Sequence, residues 1–200
     1  MDKPSMLITF LPLVIFIVIS CAIARSIKKT AKKYPPAAPE QSYVFGVGGW
    51  LLLLVMGLMF LGPLIGAGRI NADFMSVEDK YPNLQSVAQW GTYKSATWWT
   101  FLLACCLSFY AGLGLVKERS ISAVKRAKII LWIIGPLASI ILGLFLPILI
   151  FGKFEPSSQF VESMIATIIA AATWTAYLSK SKRVKATYGL TTPSTYYSEL

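Results

Sequence analysis

The residue types that carry most protein chemistry are scarce in this sequence. His is absent, which removes the commonest general base, proton shuttle and metal ligand together. Cys21, Cys105 and Cys106 all sit inside apolar runs. The adjacent pair would make a strained disulfide, so all three are read as reduced, buried thiols. Asp73, Glu78, Asp79, Glu155 and Glu162 lie between apolar runs or at their edges, but their spacing matches no cation-binding loop. Glu162 opens a run, where the helix N-terminal dipole favours a carboxylate; a polar contact to a substrate or cation is the second reading. No acid, base and nucleophile stand at a catalytic spacing, so the chain reads as non-enzymatic, with no cofactor and no metal.

What the sequence has in plenty is Lys and Arg, with a net charge of +10. Fourteen of the nineteen basic residues fall in three clusters: Arg25 to Lys33, Lys117 to Lys128, and Lys180 to Lys185. No nucleic-acid motif accompanies them. Two readings fit: the clusters fix membrane topology, or they also bind anionic lipid heads. For the second, Lys180, Lys182, Arg183 and Lys185 are the candidates, because they closely follow the interfacial rings Trp174 and Tyr177.

The elements that must position these residues follow from composition. Of 200 residues, 56% are hydrophobic and 14% charged, with a mean hydropathy of +0.62. That is too apolar for a soluble domain, where the apolar share is about 45–50%. Five runs are long enough to cross a bilayer as helices: Met6 to Ala24, Gly49 to Ala67, Trp98 to Val116, Ile129 to Phe151 and Phe160 to Leu178. Continuous rather than alternating apolarity excludes a barrel. The expected fold is an all-α polytopic membrane protein with five transmembrane helices. The three basic clusters share one side, which places the N-terminus outside and the C-terminus in the cytoplasm. Val18 to Ala24 resembles a signal cleavage box, but Asp2 offsets Lys3 and the basic cluster lies beyond the run, so the run is read as retained.

Pro35, Pro36 and Pro39 mark a linker, dividing an N-terminal anchor (1–47) from a four-span domain (48–188) and a flexible tail (189–200). The tail, Thr-, Ser- and Tyr-rich, is expected to be loose from Tyr188 onward. Arg69 to Thr97 reads as the one sizeable outer loop, with a short surface helix over Asn83 to Trp90. Helices in lipid associate where small residues let backbones approach. Four spans carry such rows at intervals of four: Gly62 and Gly66; Ala104, Ser108 and Gly112; Gly135, Ser139 and Gly143; Ser163, Thr167, Ala171 and Thr175. The first run has none, so a four-helix core with a peripheral N-terminal helix is expected. Pro12, Pro63, Pro136 and Pro147 bend spans and free carbonyls, read as packing shape rather than hinges.

Gly48-Gly49-Trp50-Leu51-Leu52, the stretch AKIILWIIGP from Ala127 to Pro136, and Ser181-Lys182-Arg183-Val184-Lys185 resemble the family called domain of unknown function 2569, from about Gly48 to Tyr188. The resemblance implies a small four-span protein of the bacterial inner membrane, of undetermined activity and with no catalytic residue to carry over. The N-terminal span and Pro-rich linker depart from that pattern. Two functions stand ahead of an enzyme: first, an accessory or scaffold subunit whose partners are membrane lipids and another membrane protein; second, as the alternative, a small carrier or pore for a small or lipid-like solute. For the carrier, Pro136, Ser139, Thr167, Thr173 and Thr175 would line the path.

Overall fold

Uninterrupted runs of Leu, Ile, Val and Phe become helices because a helix satisfies its own backbone polar groups where water cannot. A computed structural model describes residues 6–34, 46–152 and 158–189, and all regular structure among them is helical. Helix α1 covers Met6–Lys32. Helix α2, Trp50–Lys80, leads through a short 3-10 turn, Pro82–Ser86, into α3, Ala88–Lys117. Helix α4 is Ile121–Phe151, α5 is Ser158–Lys180, and a short α6, Lys182–Tyr188, follows. Among the described residues four helices, α2 to α5, are long and apolar enough to cross a membrane. The Pro-rich linker and positions 190–200 lie outside the described residues, as do Asp2, Lys3, Lys153 and Glu155.

Side-chain contacts make the four long helices an up-and-down bundle. Gly66 faces Phe101 across α2 and α3. Tyr93 meets Leu142 across α3 and α4, and Trp132 meets Thr175 across α4 and α5. The end that carries the α2–α3 connection is called the hairpin end; the other, where the basic clusters gather, is the basic end.

Three sequence expectations are corrected. Arg69 to Thr97 is not a loop with a surface helix: α2 and α3 continue as a helical hairpin, and Asn83 to Ser86 lie in the 3-10 turn. The reason is length. At about 1.5 Å per residue a 31-residue helix reaches roughly 45 Å, well beyond the ~30 Å of hydrocarbon. Tyr188 is not loose but 1% exposed, at the end of α6. The thiols are free, but Cys21 and Cys106 are exposed and Cys105 half-buried, on faces that a bilayer would cover.

The prolines are absorbed by widened turns. In the π turn Gly57–Leu61 the Gly62 N–H bonds to the Gly57 carbonyl, five residues back. The next donor in that register would be Pro63, which has no N–H, so the Leu58 carbonyl is left open. Ser108 of α3 takes it, its Oγ donating at 2.6 Å in a buried setting. The same arrangement recurs in α4. There Leu146 N–H bonds to Ile141 in the π turn Ile141–Phe145, Pro147 leaves Leu142 open, and the Tyr93 hydroxyl of α3 reaches that carbonyl at 3.5 Å, the long limit of such a bond. A third π turn, Ile133–Leu137, contains Pro136.

The dry core lies at the basic end. Leu51, Leu54 and Val55 of α2, Leu115 of α3, Val124 and Ala127 of α4, Leu178 of α5 and Val184 of α6 are buried together, with Ile27 and Ala31 of α1 against them. Side chains also cap helix ends here. Tyr188 Oη donates to the Leu115 carbonyl at 2.5 Å, and Arg119 Nη2 to the Ala31 carbonyl at 3.0 Å, both among the last carbonyls of their helices. Burial pushes the Tyr188 phenol up, so it stays a neutral donor. Gly46 N–H donates to Thr187 Oγ1 at 2.9 Å. The Gly-Gly-Trp and Ser-Lys-Arg motifs meet at this point: a Cβ at Gly48 would sit 2.5 Å from Arg183 Nη1, and Gly49 takes φ 56°. That spacing explains two adjacent glycines where the chain enters α2.

Two predictions follow from the open carbonyls and the C-terminal helix. Ser108→Ala should cost about 0.6–1.7 kcal/mol, the range of inter-helix hydrogen bonds in membranes, and the cost should shrink toward zero in a Pro63→Ala background that restores an N–H. Unfolding in mixed micelles by SDS titration measures the cycle; an undiminished cost means that Leu58 is not the group being served. By the same measurement Tyr188→Phe should cost about 1 kcal/mol and Tyr188→Ala about 3–5 kcal/mol.

Candidate functional site

At the hairpin end the bundle is less tightly filled, and the small-residue rows explain how it is shaped. Gly112 packs on Leu58 and Met59, and Gly66 on the Phe101 ring, drawing α2 onto α3. A Cβ at Gly135 would make only ordinary contact with the Thr167 carbonyl at 3.6 Å, whereas one at Gly143 would run into the Phe160 ring, so Gly143 is the position where α5 comes close onto α4. Ala171 is buried and Ala104 half-buried. Gly62 points instead at the Gly57 carbonyl of its own π turn. Helices α3 and α4 pack on each other, but α2 and α5, on either side of them, are not packed together.

The gap so left is a crevice of about 530 Å³. Helix α2 supplies Gly66, Arg69, Ile70, Asp73, Phe74 and Val77, one helical face. Helix α3 supplies Tyr93 and Thr97, α4 Ser139, Leu142 and Gly143, and α5 Phe160, Ser163 and Thr167. Most of these hydroxyls are occupied. Ser139 Oγ donates to Thr167 Oγ1 at 3.4 Å, Thr167 Oγ1 donates to the Met164 carbonyl at 2.9 Å, and Ser163 Oγ to the Phe160 carbonyl at 2.9 Å. Thr97 differs. It is 5% exposed, and its buried Oγ1 makes no well-formed hydrogen bond, the Tyr93 hydroxyl one turn away being its side-chain neighbour.

A clasp braces the wall above the crevice. Glu78 accepts from Lys94 Nζ at 2.6 Å, from Trp90 Nε1 at 2.8 Å and from Gln85 Nε2 at 3.4 Å. Phe74 meets Trp90 and Tyr93 edge-on, Trp90 stacks on Tyr93, and Tyr93 touches Phe151. The clasp fixes α2 against α3, holding Asp73, Tyr93 and Thr97 on one surface.

The sequence candidates divide accordingly. Ser139, Gly143, Ser163, Thr167 and Gly66 line the crevice. Thr175 accepts from Trp132 Nε1 at 3.2 Å nearer the basic end, Thr173 is exposed, and Pro136 is buried. Glu162 is exposed and faces away from the crevice lining. Lys180, Lys182 and Lys185 are exposed at the basic end, while Arg183 is half-buried beside Gly48. Sequence reasoning missed Arg69, Asp73, Tyr93 and Thr97 as wall residues because it assigned them to a loop. The signal was present: Gly66, Ile70, Asp73 and Val77 continue the small-residue face at helical spacing, and Tyr93 and Thr97 are four apart. Among the described residues no three His, Cys, Asp or Glu side chains are placed to hold a metal ion.

No curated protein and no solved structure matches the chain. A family model described as protein of unknown function (DUF2569) matches residues 44–189, spanning α2 to α6 and therefore the whole crevice. The chain belongs to the DUF2569 family of proteins of unknown function.

Proposed function

We propose that this protein is a non-enzymatic, carrier-type membrane protein that binds a small or lipid-like solute in the crevice between α2 and α5. The observation that carries the reading is the crevice wall itself, where the hydroxyls of Thr97, Ser139, Ser163 and Thr167 and the charged Arg69 and Asp73 gather among apolar side chains from four helices. A concave site with a few polar groups set in an apolar lining is the form a ligand pocket takes. Helix α1 is a fifth span in this reading, the membrane is the bacterial inner membrane, and the gathered basic clusters put the basic end in the cytoplasm and the hairpin end outside. The exposed Lys180, Lys182 and Lys185 then meet anionic lipid heads.

An accessory subunit is the second reading, supported by the hairpin tip. Met75, Tyr81 and Val87 are exposed there, beyond the reach of a ~30 Å hydrocarbon layer counted from Trp50. A partner membrane protein would cover them. Purification in mild detergent separates the two: a stoichiometric partner favours the subunit, and a lone protein with an accessible crevice favours the carrier.

Three outcomes are expected. With Cys21, Cys105 and Cys106 replaced by Ala, Thr167→Cys is labelled by a water-soluble thiol reagent added outside the cell, whereas Ile169→Cys, on the lipid side, is not; equal protection of both retires the crevice as a binding site. Reporter enzymes at the two termini are active in opposite compartments. Thr97→Val leaves stability within about 0.5 kcal/mol of the parent or raises it, and a loss above about 1 kcal/mol would show that the hydroxyl holds the fold rather than a ligand.

A further inference from the structure

The crevice sets a few polar groups, Arg69, Asp73 and the hydroxyls of Thr97, Ser139, Ser163 and Thr167, in a mainly apolar lining, as an amphiphile requires. Leu64 and Ile65 on α2, and Val161, Ile165 and Ile168 on α5, are exposed on the outer surfaces of the two helices that flank the gap. Helices α2 and α5 line the gap from either side without packing together. A molecule already in the bilayer would reach the gap by passing between these two helices.

The depth of the lining agrees with that route. From Phe160 to Thr167 is about 10 Å along α5, and from Gly66 to Val77 about 16 Å along α2. The volume of about 530 Å³ holds a head group and the start of its chains, far more than an ion needs. Counted from Trp50, Arg69 stands near the boundary of the hydrocarbon layer, where phosphate groups of lipids reside. It is exposed, and neither of the ion pairs found among the described residues involves it. Asp73, one turn nearer the hairpin, shares the wall and has an interaction of its own, so the positive group lies on the deeper side.

We infer that the crevice takes a phosphate-bearing amphiphile from the leaflet at the hairpin end: its phosphate on Arg69, its hydroxyl or ester oxygens on Thr97, Ser139 and Thr167, and its chains leaving between α2 and α5. The inference rests on the crevice being a ligand site and names the class of ligand.

Three probes test it on the purified full-length protein in detergent, with binding read by calorimetry: dioctanoyl phosphatidylglycerol, glycerol phosphate and dioctanoylglycerol. The phospholipid should bind at least about tenfold more tightly than either fragment, and Arg69→Gln should weaken it about tenfold or more, the scale of one charge-assisted hydrogen bond, without changing the binding of dioctanoylglycerol. Ser139→Leu, which fills the crevice, should abolish binding of all three. Glycerol phosphate binding as tightly as the phospholipid overturns the amphiphile and leaves a water-soluble solute in the same crevice. Phospholipid binding that Arg69→Gln does not weaken overturns the phosphate assignment. Binding that survives Ser139→Leu, or no binding by any probe, overturns both the amphiphile and the crevice as a ligand site.

Discussion

Inside a lipid bilayer an open backbone carbonyl has no water to turn to, and a cost of a few kcal/mol attaches to each one. Everything in this bundle is arranged around that constraint. Pro63 and Pro147 each deprive a carbonyl of its donor, and in both cases a hydroxyl from α3 stands in for the missing N–H: Ser108 on Leu58 and Tyr93 on Leu142. The prolines therefore do more than bend their helices. They create acceptors that only one neighbour, at one height, can satisfy, so they fix the register of α2 and of α4 against the same central helix. A bend held in this way is a fixed shape rather than a hinge.

The bundle is consequently asymmetric along its axis. At the basic end five helices and α6 converge on a dry core, and helix C-termini are capped by Tyr188 and Arg119. At the hairpin end the brace is polar and aromatic, and it ties α2 to α3 only. Buried apolar contacts are concentrated in one half, which leaves the other free to keep a crevice. Buried polar atoms without a well-formed hydrogen bond occur in both halves, Arg119 Nε and Nη1 at the basic end and Thr97 Oγ1 beside Tyr93 under the clasp.

Much of this was legible in the residues. Apolar runs marked the four long helices, and of the small residues set at intervals of four, Gly66 lies against Phe101 and Gly143 against Phe160, whereas Gly62 turns to its own π turn. Helix ends were not legible, because hydropathy falls off where a helix leaves the hydrocarbon even though its hydrogen bonds continue; Arg69 to Lys80 is polar and still helical. Tyr188 was misread for a related reason. A Ser, Thr and Tyr-rich stretch looks loose in composition, and only the third dimension shows that the Leu115 carbonyl waits for its hydroxyl. The crevice was invisible as a unit because its wall draws on four helices, while its polar residues taken singly look like helix-packing hydroxyls.

The same geometry limits how the crevice can change width. Helix α3 is pinned to α2 by Ser108 and the clasp and packs along α4, so those three helices form one frame. Helix α5 is held differently. Near the crevice its side-chain bond to the frame is the Ser139–Thr167 contact at 3.4 Å, a long bond between two hydroxyls that each have other partners available. Nearer the basic end it is secured by Trp132 on Thr175 and by buried Leu178. The hairpin half of α5 also meets the frame where the Phe160 ring lies against Gly143, so that ring and the lack of a side chain opposite it set how near α5 comes to α4 beside the crevice. Pro63 and Pro147, whose freed carbonyls are met by Ser108 and Tyr93, lie within the frame rather than on α5.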